Sequence, residues 1–439
     1  METYFDSLAD VVAKSLRGGE RFTATFDAEE TDFVRMNRGK VRQPGTVAQR
    51  YFSVRLIAGA RHAEHALSLS GDPAADGAAI RGAVEGLRAV LPDLADDPLL
   101  LLPSGVHDTH SVRDSSLPPS EAVIDEILTA AAGLDLVGIY AAGPVWRGFA
   151  NSEGQRNWHS TTAFNLQWSL YHRADKAVKS GYAGFAWDDA AFAHRMADAR
   201  ERLALISRPA RALEPGKYRA YLSPSAMEEI AALLCWGGFS GRALATRQSA
   251  LARMQEGEAL DPRVTMTEDT EGGVAPAFQS EGFARPARVP LIEGGRMVGS
   301  LVSPRTAREF GMAENGANGA EMPESLAMAG GALAAADALA ALGTGIAVGN
   351  LHYLNYSDRP AGRITGMTRF ATFWVENGKV VAPIDVLRFD DTVYRLLGEN
   401  LEALTAETEF ILDAGTYQSR QLASVRLPGA LVSEMAFTL

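Results

Sequence analysis

A single cysteine, Cys235, occurs in 439 residues, which excludes an internal disulfide and any cysteine-rich zinc site. Long hydrophobic runs are equally scarce. The most apolar late stretch, residues 327–342, is rich in alanine and glycine and contains Asp337, too weakly hydrophobic for a membrane span. Residues 1–20 are acidic and amphipathic, without the basic start and apolar centre of a signal peptide. These absences lead to the expectation of a cytoplasmic protein that does not touch membranes. Without secretion, the sequon-like Asn355-Tyr356-Ser357 is a chance match. Basic charge is outnumbered: 42 Lys and Arg face 54 Asp and Glu, for a net charge of -12. With no extended Lys/Arg cluster, that balance argues against broad contact with nucleic-acid phosphates.

What is present reads as a globular chain. Hydrophobic residues make up 46% and charged residues 22%, ample material for burial. The length exceeds one ordinary core, so two domains are expected. The periodicities place a helix over residues 4–16, strands at 21–26, 32–38, 47–57 and 61–70, and a helix at 74–90. Residues 96–119, rich in Pro, Ser and Asp, read as a loop. Ser120 suits the N-cap of a helix reaching 132. Strands follow at 134–141, 145–151 and 161–171, and Asp188 caps a helix to 206. Helices and strands mix without a strict βαβ alternation, so the fold class is α+β.

A Pro- and Gly-bearing linker spans 207–216. It separates an expected N-terminal α+β domain, residues 1–207, from a β-rich C-terminal domain, residues 216–439. The second part opens with a strand at 217–222 and a helix started by Ser223-Pro224, Ser at the N-cap and Pro in the first turn. Met227, Ile230, Ala231 and Leu234 form its apolar face, and Gly237-Gly238 ends it. Strand signals dominate beyond, with helices expected at 325–342 and 390–404.

Candidate chemistry is sparse. No HExxH or HExxxH motif occurs among the eight histidines. His62 and His65 are three apart on an expected strand, so they face opposite sides and cannot share one metal. His107, Asp108 and His110 lie in the polar loop, where a bend would bring two nitrogens and an oxygen to a metal. Solvated side chains are the commoner outcome of such a loop. No G-x-S-x-G elbow is present. Cys235 falls on the apolar side of its helix beside Trp236, the setting of a buried, inert thiol. Ser152 and His159 are a conceivable nucleophile and base, yet Asn151-Ser152-Glu153-Gly154 is ordinary turn chemistry. The glycines from Gly343 to Gly349 lack the G-K-[ST] end of a P-loop and a following helix. Glu228 and Glu229 read as first-turn residues that complement the helix dipole. No catalytic, cofactor-binding or metal-binding residue is therefore assigned.

Several segments, taken in order, resemble the TldD/PmbA family, once called modulators of DNA gyrase. Residues 33–41 are similar to the family's N-terminal strand pair. Phe149-Ala150-Asn151-Ser152-Glu153-Gly154 resembles its central N-S-x-G turn. Phe239-Ser240-Gly241-Arg242-Ala243 resembles the F-S-G-[KR] segment of the TldE (PmbA) branch. Residues 290–295 and then 303–308 look like the next strand and helix. The clearest likeness runs from Thr365-Gly366-Met367 to Gly378-Lys379-Val380, followed by Pro383, and the end from Ser424 to Pro428 onward also looks TldE-like.

The resemblance implies a two-domain TldD/PmbA-like architecture. In the TldD branch a helix of the second domain carries HExxxH, and a cysteine near the C-terminus completes a zinc site whose glutamate activates the metal-bound water. The corresponding helix here, residues 223–236, keeps Glu228 and Glu229 but has no histidine, and no cysteine lies near the C-terminus. The resemblance therefore implies a non-catalytic, TldE-like subunit of a peptidase. Zinc would sit only on a TldD-like partner, and the substrates would be unfolded or short peptides. Such a peptide can add as a strand to an exposed sheet edge. Two alternatives stay open: a stand-alone peptide-binding homodimer, and a hydrolase with an unrecognised site involving His107, Asp108 and His110.

Overall fold

The computed structural model describes residues 1–173 and 176–438. Its first sheet contains β1 (Arg21–Asn37), β2 (Lys40–Ala58), β3 (Arg61–Ser68), β4 (Thr109–Arg113), β5 (Asp135–Asn151), β6 (Arg156–Arg173) and β7 (Lys176–Gly184). They lie in the order β3-β2-β1-β5-β6-β4, with β7 also paired to β6. Local chemistry sets the hairpins. Arg38 and Gly39 both take positive φ, 53° and 64°, the two-residue turn whose twist matches the flanking strands. The Asn151 side-chain oxygen accepts the N–H groups of Glu153 and Gln155 at 3.0 and 3.1 Å, which closes β5 onto β6.

Alternation then sorts the two faces. Even-numbered residues such as Phe22, Phe26, Met36, Leu166 and Trp168 meet four helices: α1 (Glu2–Ser15), α2 (Pro73–Val90), α3 (Ser120–Ala130) and α4 (Asp189–Ile206). Odd-numbered residues of β1 and β6, among them Glu29, Thr31, His159 and Asn165, look toward the second half of the chain. Ala371 and Phe373 from that half also join the core beneath α3 and α4.

The second sheet contains β8 (Gly216–Leu222), β9 (Met266–Asp269), β10 (Arg288–Glu293), β11 (Arg296–Met297), β12 (Ser325–Met328), β13 (Gly345–Asp358), β14 (Arg363–Glu376), β15 (Lys379–Pro383), β16 (Arg388–Thr392), β17 (Leu401–Leu412) and β18 (Ser424–Phe437). The order is β11-β10-β9-β12-β18-β16-β14-β13-β8, with β15 on β14 and β17 on β18. β8 pairs both β13, in parallel, and β18, antiparallel, so the strands from β18 to β8 close into a ring. The helix α5 (Pro224–Cys235) seats Met227, Ile230 and Leu234 in the main core of this half. Three short helices follow, α6 (Gly241–Ala245), α7 (Pro304–Phe310) and α8 (Ala338–Leu342).

Two of the motif segments have a structural explanation. Ser240 and Ser303 cap α6 and α7. The buried Glu321 carboxylate accepts from the Ser240 hydroxyl at 2.5 Å, from Arg242 N–H at 2.9 Å and from Ser303 N–H at 2.8 Å. One carboxylate thus satisfies donors at both helix starts.

The α+β class holds, but several elements differ from the sequence reading. Residues 21–37 form one strand rather than two, as do 135–151, because neighbours on both sides keep the ladder running. The loop expected at 96–119 contains β4, which pairs with β6 in parallel. β7 went unread. The cap of α3 is Pro119; Ser120 is its first residue and its hydroxyl donates to Asp32 instead, at 2.8 Å.

The helix expected over 325–342 is a strand, then a single 3-10 turn (Ala335–Asp337) that leads into the short α8. Gly330 and Gly331 lie so close to residues 404–406 that a Cβ on Gly330 would come within 2.4 Å of the Ala406 oxygen. The helix expected over 390–404 is the end of β16, one π-helical turn (Arg395–Glu399) and the start of β17. Asp391 is buried there and accepts from Arg395 Nε and Ala436 N–H, both at 3.0 Å. Pairing with distant strands overrides local helix propensity in both places. Residues 207–215 hold no regular element. No helix among the described residues is long and apolar enough to cross a membrane.

Candidate functional site

The odd-numbered face of the first sheet is partly sealed by the second half. Gln155 Nε2 donates to the Gly282 oxygen at 2.7 Å and His159 Nε2 to the Val274 oxygen at 3.1 Å. Burial, with Arg147 nearby, pushes the His159 imidazole down to about 4, so it sits in the interface neutral. Farther along the same face a cleft of about 260 Å³ stays open. Register lays its floor: Arg35, Ile139 and Gln167 form one cross-strand row, and Val137, Ser169 and Lys179 the next.

The roof of the cleft is a strap, residues 413–421, between β17 and β18. Arg420, only 6% exposed, pins it. Its guanidinium donates to the oxygens of Gly143 and Ala163, each at 2.9 Å, and its N–H donates to Glu29 Oε2 at 3.2 Å. Burial pushes that guanidinium down to about 10. Asn165 Nδ2 holds the other end through the Leu412 and Asp413 oxygens, both at 3.2 Å.

Inward the cleft narrows into a small polar pocket at the start of α5. Ser223 fixes this helix start. Its N–H donates to the Val348 oxygen at 3.0 Å, its hydroxyl donates to the Gly349 oxygen at 2.6 Å, and the same hydroxyl accepts from Ala226 N–H at 3.2 Å. Ser225 and Glu228 then face the pocket while Met227, Ile230 and Leu234 enter the core. Glu228 and Glu229 lie beyond the first turn, which carries no acidic residue, so the helix dipole does not account for them. Burial pushes the Glu228 carboxyl up to about 7 despite the opposing pull of Lys179. Glu229 is raised as well, again chiefly by burial.

Asn350, 7% exposed, lines the same pocket. Among the described residues, the side chains of Gln167, Lys179, Ser225, Glu228 and Asn350 make no hydrogen bond or ion pair, although all five line this pocket. Glu409 at its rim is tied to Arg195 at 2.5 Å. The arrangement offers a cation, a carboxylate and two amides to one small space, which suits a ligand that is both donor and acceptor.

The candidates read from the sequence lie elsewhere. His62 approaches Asp97 at 3.3 Å on β3, and His65 is exposed. His107 Nε2 contacts the Ser104 oxygen at 2.9 Å, whereas His110 lies on β4 and approaches Glu2 at 3.1 Å. Asp108 accepts from Arg156 N–H at 2.7 Å, so these three side chains serve separate local contacts. Cys235 is buried, and burial pushes its thiol up to about 12. Ser152 makes no hydrogen bond to His159 among the described residues. Lys179, Gln167, Asn350 and Arg420 went unnoticed because no motif marks them. The one local signal was the i, i+3 pair Ser225 and Glu228, polar residues sharing the side of α5 away from its apolar face.

A family model described as the PmbA/TldA metallopeptidase C-terminal domain matches residues 215–439. That is just over half of the chain. The chain belongs to the PmbA/TldD family. Among curated proteins no sequence matches it. Solved structures do. TldE from Thermococcus kodakarensis aligns with a TM-score of 0.78 at 14% identity, covering 99% of this chain and 100% of that one. A candidate modulator of DNA gyrase from Bacteroides thetaiotaomicron gives 0.77 at 16% identity, with 99% and 98% covered. Another from Thermotoga maritima gives 0.75 at 13% identity, with both chains covered completely. At such identities these likenesses show the fold and leave the chemistry to the residues.

The family description implies a metal, and the residues here do not fit one. Zinc sites use three or four imidazole, thiolate or carboxylate ligands at about 2.0–2.3 Å. The α5 helix carries two carboxylates and no histidine, and the ammonium of Lys179 faces the same pocket. Among the described residues no three His, Cys, Asp or Glu side chains gather closely enough to hold an ion.

Proposed function

We propose that the chain is a non-catalytic, TldE-like subunit of a TldD/TldE-type metallopeptidase complex. In this reading it holds unfolded or short peptides for a TldD-like zinc subunit, in the cytoplasm, within a scaffold of two domains (residues 1–207 and 216–439). The supporting observation is α5. It reaches the cleft as a peptidase helix would and presents Glu228 there, but it brings no metal ligand. Permanent subunit interfaces are large and apolar at their centre, and the ring-shaped second sheet supplies a rigid base for one.

The test mixes the purified chain with an HExxxH-bearing TldD-like protein. Co-elution, with metal-dependent peptide cleavage by the mixture and none by this chain alone, is the expected result. Zinc that stays stoichiometric on this chain after mild chelation, or metal-dependent cleavage by it alone, overturns the reading. No binding, together with a twofold mass in solution, favours a stand-alone peptide-binding homodimer.

One observation favours a second reading, a hydrolase using its own site. The Glu228 carboxyl lies close to neutrality in a cleft beside Lys179, the setting of a general acid or base. Metal-independent cleavage by the lone chain that disappears in Glu228→Gln would select it.

A further inference from the structure

The pocket at the inner end of the cleft is polar and incompletely paired. Asn350 is buried yet finds no partner for its amide among the described residues, and the same holds for the half-buried Gln167, Ser225, Glu228 and Lys179 around it. None of these five has a fully buried unpaired polar atom, so their polar ends open onto the cleft, where water serves them until a guest that reproduces those hydrogen bonds takes its place. Lys179 on β7 and Glu228 on α5 carry opposite charges into one space without forming an ion pair within 4 Å. A guest with both a positive end and carbonyl oxygens satisfies both.

The outer cleft limits that guest. Its volume of about 260 Å³ lies just below the usual range for drug-sized ligands, about 300–1,000 Å³. Its walls are small or apolar, with Val137, Ile139, Ala141 and Leu412, and its far end carries Arg35, which has no ion pair among the described residues. From β1, which bears Arg35, to β7 is three strand spacings, about 14 Å. That is the length of about four extended residues.

We propose that this cleft binds a short peptide by its free N-terminus. The ammonium lies between Glu228 and Asn350, the first carbonyl oxygens meet Lys179 and Gln167, and the chain runs out beneath the strap toward Arg35, which receives the C-terminal carboxylate. The inference rests on the peptide-handling reading above and narrows it to chains of about four residues with an unblocked start. Binding at this site is coupled to pH. Lys179 from β7, Glu229 from α5, Asp413 from the strap and Glu409 from β17, itself paired with Arg195, all act on Glu228. An arriving ammonium draws the proton off this carboxyl, so affinity rises as pH passes upward through about 7 and falls once the peptide amine, ordinarily about 7.7–8.0, loses its own proton.

The experiment is calorimetric titration of the full chain, without any partner, with tetra-alanine, N-acetyl-tetra-alanine and tetra-alanine amide. The free peptide is expected to bind. N-acetylation weakens binding at least tenfold, and amidation weakens it severalfold. Glu228→Gln removes most of the preference for the free over the acetylated peptide, and Arg35→Gln removes the preference over the amide. Circular dichroism and melting of both variants establish that they are folded. Equal affinity for free and acetylated peptide, or no binding of the free peptide by the folded parent chain, overturns the proposal. Because no TldD-like protein is present, failure to form the complex with such a subunit leaves this result untouched, and the reverse also holds.

Discussion

Replacing Arg420 by alanine tests whether the strap is a locally held roof or part of the global core. Two effects oppose each other. The guanidinium donates to the Gly143 and Ala163 oxygens, and a hydrogen bond from a charged donor is worth about 1.5–3 kcal/mol, together about 3–6. Burial moves the group from 12.5 to about 10, and at about 1.36 kcal/mol per pH unit this desolvation costs roughly 3 kcal/mol. The substitution removes both. Glu29 keeps Thr31 Oγ1 at 3.0 Å and Gln49 Nε2 at 2.5 Å, so it is not stranded. The net expectation is a global loss of only about 1–2 kcal/mol, a few degrees in the melt.

Locally the effect of Arg420→Ala is larger. Without the Arg420 guanidinium, the strap from residue 413 to 421 hangs on Asn165 at one end and, at the other, on the Gln49 contact to the Gln418 oxygen, 2.6 Å, and the backbone N–H at position 420 donated to Glu29. Tyr417, 86% exposed at its crest, becomes a ready site for chymotrypsin. Hydrogen exchange at 413–421 should rise by at least tenfold while exchange in β17 and β18 stays unchanged. Unaltered exchange in the strap, or a global loss above about 4 kcal/mol, would refute the balance drawn here.

Two further outcomes follow from the same geometry. The Glu228 carboxyl is raised from 4.5 to about 7, so the folded state holds its proton more tightly than the unfolded state. Its ionisation therefore costs stability as pH rises from about 4.5 to about 7, and the cost persists above that window. Glu228→Gln should melt higher than the parent at pH 8 and at the same temperature at pH 4, and a lower melt at pH 8 would show the carboxylate to be stabilising. At the proposed domain junction, trypsin should cut after Arg211, in the segment without regular structure, before it cuts within either sheet. First cleavage inside β1 to β7 or β13 to β18 would remove the case for a boundary there.

Much of the frame was legible in the sequence because it is set locally. The Asn151–Gly154 turn, the cap made by Asp188 and the start of α5 at Ser223-Pro224 each depend on residues within a few positions. The apolar face of α5 was readable for the same reason. Where local and distant preferences disagreed, the sequence misled. Residues 325–342 look helical because alanine favours helix, yet Ser325–Met328 pairs with β9 and β18. Residues 390–404 place Val393, Leu396, Leu397, Leu401 and Leu404 at helical spacing, yet Asp391 is fixed by Arg395 and the Ala436 amide.

The site divides along the same line. Sequence alone determined that no histidine stands on α5 and that the chain has one cysteine, because composition needs no geometry. It also placed Glu228 on that helix. Only the tertiary structure decided where Glu228 points and what it meets. Lys179 comes from β7, Asn350 from β13 and the roof from residues 413–421, stretches far apart along the chain. Their convergence is set by the register of the first sheet and by the closure of the second. Both arise from long-range strand pairing, which no local spacing of residues encodes.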